Sequence, residues 1–394
     1  VAVKINRQAN QIALIGAPSS AGAHNAGMEK SPAALRAAGL ADKLRAVGYQ
    51  VNDLGDIPAQ SWQPDEESPR LRNIAAVLAA LNALRPLVEV AAKSGALPII
   101  LGGECTMALA TLAGVRRYYR HVSLLWLDCD ADLNTPATTP SGCAHGMVLA
   151  HIAGHGAPEL VRFYSEPPLV REPDIALFGV ARLDPPEDMF LSRSPMKRMK
   201  AAEILRRGPE ASAESILSSL HAESRDFVLH FDVDFVSGED LPAVDFPGIG
   251  GIRLEQAGKM LEMFCRPSRL LAIDVASYNA DKDPDGSSAA KIVDLLVAAL
   301  AARLTALAAP AEAPPAAPPM LETPAEPARE LTAEVAEETP IPEEPAPAAE
   351  EPAPAAEEPA PTAEEPAPAA ADPAPAADAS PDSPVESSSK SSGE

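Results

Sequence analysis

Cysteine is scarce: four residues, Cys105, Cys129, Cys143 and Cys265, in a chain of 394. Disulfide scaffolds are short and cysteine-dense, so this pattern excludes one and leaves reduced thiols in a cytoplasmic setting as the expectation. Cys129 and Cys265 read as packing residues. Basic charge is also short, with 32 Lys+Arg against 56 Asp+Glu. No basic stripe is present, which removes nucleic acid from the expected partners. Long apolar runs are missing too. A membrane-spanning helix needs about 18 or more apolar residues, and the nearest approach, Ile292 to Leu304, is broken by Asp294 and Arg303. The first residues, VAVKINRQANQIALIG, hold no uninterrupted apolar core ahead of a small-residue cleavage site. No membrane partner is expected.

What charge there is lies unevenly. The chain carries a net −24, and residues 311–394 hold 20 acidic and only 2 basic residues of it. The same stretch holds 20 of the 42 prolines and repeats EEPAPAA, with small variation, from Glu343, Glu350, Glu357 and Glu364. A seven-residue period can mark a coiled coil, but a proline in every repeat forbids continuous helix. The reading is therefore a folded domain over 1–306 and a disordered acidic tail over 307–394. A solubilising spacer is the plain role for such a tail, and contact with a basic partner the sharper one.

Within the domain, apolar runs alternate with helical patterns. Strands are expected at Gln11–Pro18, Val51–Leu54, Leu97–Leu101, Leu124–Leu127, Asp174–Val180, Phe227–Phe235 and Leu270–Val275. Helices are expected at Ser31–Val47, Leu71–Ser94, Thr106–Tyr119, Met147–Ile152, Ala201–Arg207, Ala213–His221, Leu254–Phe264 and Ser287–Ala302, with Ala181–Asp188 as a loop. Alternation of this kind argues an α/β fold with a parallel sheet covered on both faces.

The stretch LLWLDCDADLNTPATTPSGCAHG carries the chemistry. An apolar run leads into Asp128, Asp130 and Asp132, and HFDVDF adds Asp232 and Asp234. If each run is a strand, alternate carboxylates share one face at its carboxyl end, where parallel sheets bind ligands. Two such strands side by side could hold two cations. A metal pair can generate hydroxide near neutral pH, and His145 could move the proton that a leaving amine needs. A solvated acidic strand end and a structural loop histidine are the plainer alternatives. The repetition of the acidic pattern on two strands weighs against the first.

These residues resemble the ureohydrolase superfamily of arginase, agmatinase and their relatives, from Gln11 to about Leu304. LGGECT resembles the family's GGDHS, LDCDADLNTPATTPSGCAHG its DAHxDxNTP…SGNxHG, FGVARLDPPE its G-x-R-D-x-D, HFDVDF its SxDxD and FPGIGGIRLEQ its TPxxGGL…RE. The resemblance implies a three-layer α/β/α sandwich around a mainly parallel eight-stranded sheet, assembled as a trimer or hexamer. It implies hydrolysis of a guanidinium-type C–N bond with two Mn(II) ions. It places metal ligands at Asp128, Asp132, Asp232 and Asp234, the proton-transfer histidine at His145, and substrate contacts at Asn134, Ser141 and Asp184.

The departures are specific. Cys105 and Asp130 stand at the family's two histidine ligands, Cys143 replaces the asparagine of SGN, and Ser277 falls where a glutamate faces the guanidinium. The expected metal set is thus Cys105, Asp128, Asp130, Asp132, Asp232 and Asp234, with His145 and Asp130 catalytic and Asn134, Ser141, Cys143, Asp184 and Ser277 on the substrate. A thiolate shifts preference from Mn(II) toward Zn, Fe, Co or Ni. Loss of the glutamate disfavours arginine itself and favours a less basic small molecule, such as N-hydroxyarginine or a formimino compound. The rival reading is a catalytically inactive ureohydrolase-fold binding protein with an acidic tether.

Overall fold

The computed structural model describes residues 5–221, 225–248 and 251–309. The acidic repeats of the tail, and Ile249–Gly250 of the FPGIGG segment, lie outside the described residues. The elements follow in the order β1 (Gln11–Gly16), α1 (Ser31–Ala37), α2 (Leu40–Ala46), β2 (Gln50–Asp56), α3 (Ile74–Ser94), β3 (Leu97–Leu101), α4 (Met107–Arg116) and β4 (Val122–Leu127). There follow α5 (Val148–Ile152), α6 (Pro158–Val161), β5 (Ile175–Val180), α7 (Pro185–Arg193), β6 (Lys197–Lys200), α8 (Ala201–Arg207) and α9 (Pro209–His221). The domain closes with β7 (Asp226–Asp232), α10 (Leu254–Cys265), β8 (Leu270–Ala276) and α11 (Ser287–Ala308).

The eight strands form one sheet in the order β2-β1-β3-β8-β7-β4-β5-β6. Every pairing is parallel. The inner strands LPIIL, VSLLWL, IALFGV and LLAIDVA are buried along their whole length, without polar alternation. That is how a sheet covered on both faces reads. One face packs Leu14, Leu125, Leu229 and Ile273 against α10 and α11, and the other packs Ile15, Ile100, Leu124 and Val228 against α3 and α4. The result is the expected three-layer sandwich.

Several local expectations are corrected. The helix expected over Ser31–Val47 is two helices, because Gly39 turns left-handed between them with φ 85°. The loop expected over Ala181–Asp188 becomes helical at Pro185. Asp184 precedes that helix, its amide bonded at 2.9 Å to Glu187 Oε2, and the two prolines occupy a first turn that needs no amide donors. The short charged strand β6 (KRMK) escapes the sequence reading because it is an edge. The helix α3, at 21 residues, is long and apolar enough to cross a membrane by composition, contrary to expectation. Its Val77, Ala80, Leu81, Leu84 and Val88 stripe is buried against the sheet face.

Two glycines set the entry to the site. A Cβ on Gly102 would lie 1.7 Å from the Val275 carbonyl oxygen, and one on Gly103 would lie 2.5 Å from that of Ser19. The chain leaving β3 therefore passes close against both β8 and the loop after β1, which fixes where Cys105 begins.

His151 in α5 is fully buried, and neither ring nitrogen has a hydrogen-bond partner among the described residues. Burial holds its pKa down at about 4 from an ordinary 6.5. Between those values the unfolded chain binds a proton that the folded chain refuses, so stability falls as pH drops through this window. The full penalty for this group is about 3 kcal/mol. Urea denaturation at pH 7 and pH 5 should show the acid loss shrink by about 2 kcal/mol in His151→Leu. An unchanged acid loss in the variant would refute the assignment.

Candidate metal centre and active site

Strand register builds the floor of the site. β4, β7 and β8 are adjacent, with Trp126 opposite His230 and His230 opposite Asp274. Two residues further on, the same alternation delivers Asp128 and Asp232. The Trp126 and His230 rings stack with centroids 3.5 Å apart, and Trp126 Nε1 donates to Asp128 Oδ2 at 3.0 Å. His230 Nδ1 bonds Asp274 Oδ1. Its Nε2 is buried and has no hydrogen-bond partner among the described residues.

The D-x-D segments do not continue as extended strands. β4 ends at Leu127, and β7 ends at Asp232 before a 3-10 turn over Val233–Phe235. Each segment turns on itself instead: the Asp130 amide donates to Asp128 Oδ1 at 2.7 Å, and the Asp234 amide to Asp232 Oδ1 at 2.8 Å. A short acidic side chain bonding the amide two residues on is the usual device for such a turn. The carboxylates therefore converge through bends rather than through a shared strand face. Asp132 and Ser277 adopt left-handed backbone with φ 51° and 68°. Non-glycine residues there cost about 1 kcal/mol or more each, a strain that gathers at functional sites.

Two tight donor groups result. In the first, single ligand atoms of Cys105, Asp128, His230 and Asp232 lie within 4.8 Å of one another. The Cys105 thiol donates to Asp232 Oδ2 at 3.0 Å and lies 3.3 Å from Ser277 Oγ, which itself donates to Asp232. The second comprises Asp128, Cys129, Asp130 and Asp234 on the same criterion. Asp132 belongs to neither. Its Oδ2 is buried without a partner among the described residues.

A guanidinium already serves the second group. Arg182 donates to Asp130 Oδ1 at 2.8 Å, to Asp130 Oδ2 at 2.7 Å and to Asp234 Oδ2 at 2.6 Å. Burial opposes its charge, but the Asp130 and Asp234 carboxylates hold its pKa above the ordinary value. Asp130, expected as a catalytic ligand, is thereby an ion-pair partner. Elsewhere acidity is suppressed. Burial first, then mutual repulsion, raises Asp128, Asp132 and Asp232 well above the usual carboxylate range. Burial and the same carboxylates also raise the Cys105 thiol. A cation in the first group would reverse that logic and ionise its donors.

Above this floor opens a cleft of about 520 Å³ lined by Asp130, Asp132, Asn134, Ser141, His145 and Asp184, among others. Asn134 Nδ2 donates to Asp184 Oδ2 at 2.8 Å. Ser141 Oγ accepts from the Cys143 amide at 3.2 Å. Cys143 itself is buried and is absent from the residues lining the cleft, so a substrate contact there is not what the geometry favours. Ser277 lies on the floor, with His145. Burial, then the neighbouring His24, holds the His145 pKa down at about 4, so its imidazole is neutral at pH 7. The His24 ring meets His145 edge-on at 5.1 Å.

The arginase family model matches residues 10–302. The chain belongs to the arginase family. It is 32% identical over 291 residues to an arginase of Bacillus subtilis, covering 73% of this chain and 97% of that one. An arginase of Bacillus caldovelox is 31% identical over 287 residues, covering 72% and 96%. The solved structure of the latter superposes with a TM-score of 0.69, covering 75% of this chain and 98% of that one. A Bacillus subtilis formimidoylglutamase, at 15% identity and TM-score 0.61 over 76% and 88% of the two chains, shares the fold.

Two residues of the site escape a motif-by-motif reading. His230 occupies the serine position of SxDxD. Arg182, with Gly179 and Asp184 aligned to the ends of G-x-R-D-x-D, stands at that motif's first aspartate. Both departures are visible in the sequence, but their partners are not, since the contacts cross from one motif to another.

Removing the guanidinium leaves two acids facing each other. Because Arg182 and Asp130 are each about one-third exposed, Arg182→Met should cost about 1–3 kcal/mol, less than a fully buried pair would. In an Asp130→Asn background the same change should cost at least about 0.5 kcal/mol less. Chemical denaturation of the four proteins of this cycle checks it, and strict additivity would show that the pair is not coupled.

Proposed function

We propose that this chain is a metal-dependent hydrolase of linear C–N bonds, acting on an amidine, formimino or N-hydroxyguanidine compound that carries an amino-acid head group. One observation carries the reading: the cleft that brings Asn134, Ser141 and Asp184 together with His145 shares Asp130, Asp132 and His145 with the small pocket walled by Asp128, Asp232 and Asp234. The residues of the first donor group fit a divalent ion. One thiol, one imidazole and two carboxylates raised by burial and mutual repulsion are a cation's natural donors.

Held by Cys105, His230, Asp128 and Asp232, such an ion would supply Lewis acidity to a water and to the substrate. The chain's own residues do the rest. Asp184, held by Asn134 at 2.8 Å, presents its carboxylate to the cleft and suits an ammonium group. The Ser141 hydroxyl, at the rim, suits a carboxylate. Neutral His145 has a lone pair to take a proton from water and pass to the departing nitrogen. Ser277 gives the floor a hydroxyl rather than a carboxylate, and that hydroxyl is spent on Asp232. A strongly basic guanidinium therefore finds no added anionic partner there, which favours the less basic substrates. A second reading, an inert ligand-binding protein, draws support from Arg182, which neutralises part of the acidic floor without any metal.

The test is formation of the free-amine product together with urea, N-hydroxyurea or formamide by the purified full chain with Zn, Fe, Co, Ni and Mn in turn, across arginine, N-hydroxyarginine and formimino-amino acids. At least one less basic compound should turn over, with kcat/KM about tenfold or more above arginine. His145→Ala should lower kcat by about 10²–10⁴-fold, while Asp184→Asn should act mainly on KM. No turnover of any compound with any metal would overturn the reading in favour of the binding protein.

A further inference from the structure

The two departures from the family's ligands are each accompanied by a second residue that the family motifs do not contain, and each pair meets in space. Cys105 stands where a histidine is expected, and His230, from another strand, brings an imidazole to the same donor group. Asp130 stands where the other histidine is expected, and Arg182 brings a guanidinium onto it. We propose that this chain holds one divalent ion, not two, through Cys105 Sγ, His230 Nε2 and the carboxylates of Asp128 and Asp232, and that the Arg182 guanidinium occupies the place of a second cation. The inference rests on the metal dependence of the hydrolase reading but not on its substrate.

His230 has the form of a prepared ligand. A metal-binding imidazole commonly donates its other nitrogen to a carboxylate, which fixes tautomer and orientation and raises basicity. Here Nδ1 is bonded to Asp274, and the ring is clamped against Trp126 by stacking at 3.5 Å. The remaining nitrogen, Nε2, sits on a fully buried side chain and meets no hydrogen-bond partner among the described residues. Burying such an atom without a partner is unfavourable, and a cation beside Cys105, Asp128 and Asp232 would remove the cost. The donor set of one sulfur, one nitrogen and two carboxylates suits Zn, Fe(II) or Co(II) better than Mn(II) or Mg(II).

The second half concerns charge. In the second group, Asp130 and Asp234 give three hydrogen bonds' worth of acceptors to Arg182. A cation bound by those oxygens would have to displace the guanidinium and would then face its charge. Arginine stays protonated at any working pH, so it is a permanent countercharge that requires no metal supply.

Cobalt titration of the full chain, after chelator treatment, reads the site without reference to activity. The wild type should take up one Co(II) per chain and show both intense ligand-field bands and a sulfur-to-cobalt charge-transfer band. Cys105→Ser should lose the charge-transfer band. His230→Gln should keep that band at saturation but bind Co(II) at least about 100-fold more weakly, and Asp274→Asn about 10–100-fold more weakly. Arg182→Met should admit a second Co(II), whereas Arg182→Lys should not. Far-ultraviolet dichroism matching the wild type qualifies each variant, and Cys105→Ser serves if His230→Gln does not fold. Two ions in the wild type, no sulfur band, or full affinity in His230→Gln would overturn the proposal. One ion with the sulfur band and no turnover would uphold the site while sinking the hydrolase reading. Turnover with two ions and no sulfur band would do the reverse.

Discussion

Five carboxylates converge at the carboxyl ends of two adjacent strands, and they have to be neutralised before the sheet can close around them. Asp128, Asp132, Asp232 and Asp234 are all buried. The fold answers in several ways at once. Asp128 and Asp232 are pinned by amides two residues on and by Trp126, Ser277 and Cys105. Asp130 and Asp234 share Arg182. Burial and mutual repulsion raise the pKa values of the buried acids, which eases the charge further. The architecture at the strand ends makes sense only as a place that needs positive charge.

That need explains why the departures from the family come in pairs. Loss of one histidine alone would leave a small sulfur where an imidazole had supplied nitrogen. On the single-ion reading His230 supplies the nitrogen that Cys105 lacks, and its ring lies in register between Trp126 on β4 and Asp274 on β8. Replacement of the other histidine by Asp130 adds negative charge to a cluster already too acidic. An arginine at position 182, reaching from the loop after β5, offsets it. Together they form a differently charged site on the same scaffold.

The layered α/β architecture was legible in the sequence because the inner strands are uninterrupted apolar runs with helical patterns between them. The carboxylate cluster was legible for the same reason, as acids placed directly after such runs. Its geometry was not. D-x-D suggests an extended strand, whereas side-chain bonds to the amides of Asp130 and Asp234 bend each segment. Helix ends were misjudged where one residue decides the matter, as at Gly39 and at the two prolines after Asp184. His230 and Arg182 went unrecognised for a deeper reason. Periodicity reports what a residue does within its own element, and both act on residues more than 50 positions away or on another strand.

The floor of the cleft bears on substrate through a residue that no motif singled out. Asp245 lies beside Ser277 on that floor and could in principle replace the missing glutamate. Its side chain is instead committed: Oδ1 pairs with Lys282 at 2.8 Å and accepts from Asn279 at 2.8 Å, while Oδ2 accepts from Asn25 at 3.3 Å. To capture a guanidinium it would have to give up its pair with Lys282 and its bonds from Asn279 and Asn25 on a carboxylate that is itself 2% exposed. Ser277 is no freer, since its hydroxyl is bound to Asp232. The permanent positive charge of Arg182 stands at the edge of the same floor and repels a second one. With Arg182 at the edge of the floor and neither Asp245 nor Ser277 free to stand in for the family's glutamate, the proposed hydrolase reading is better matched by a weakly basic nitrogen group than by a guanidinium.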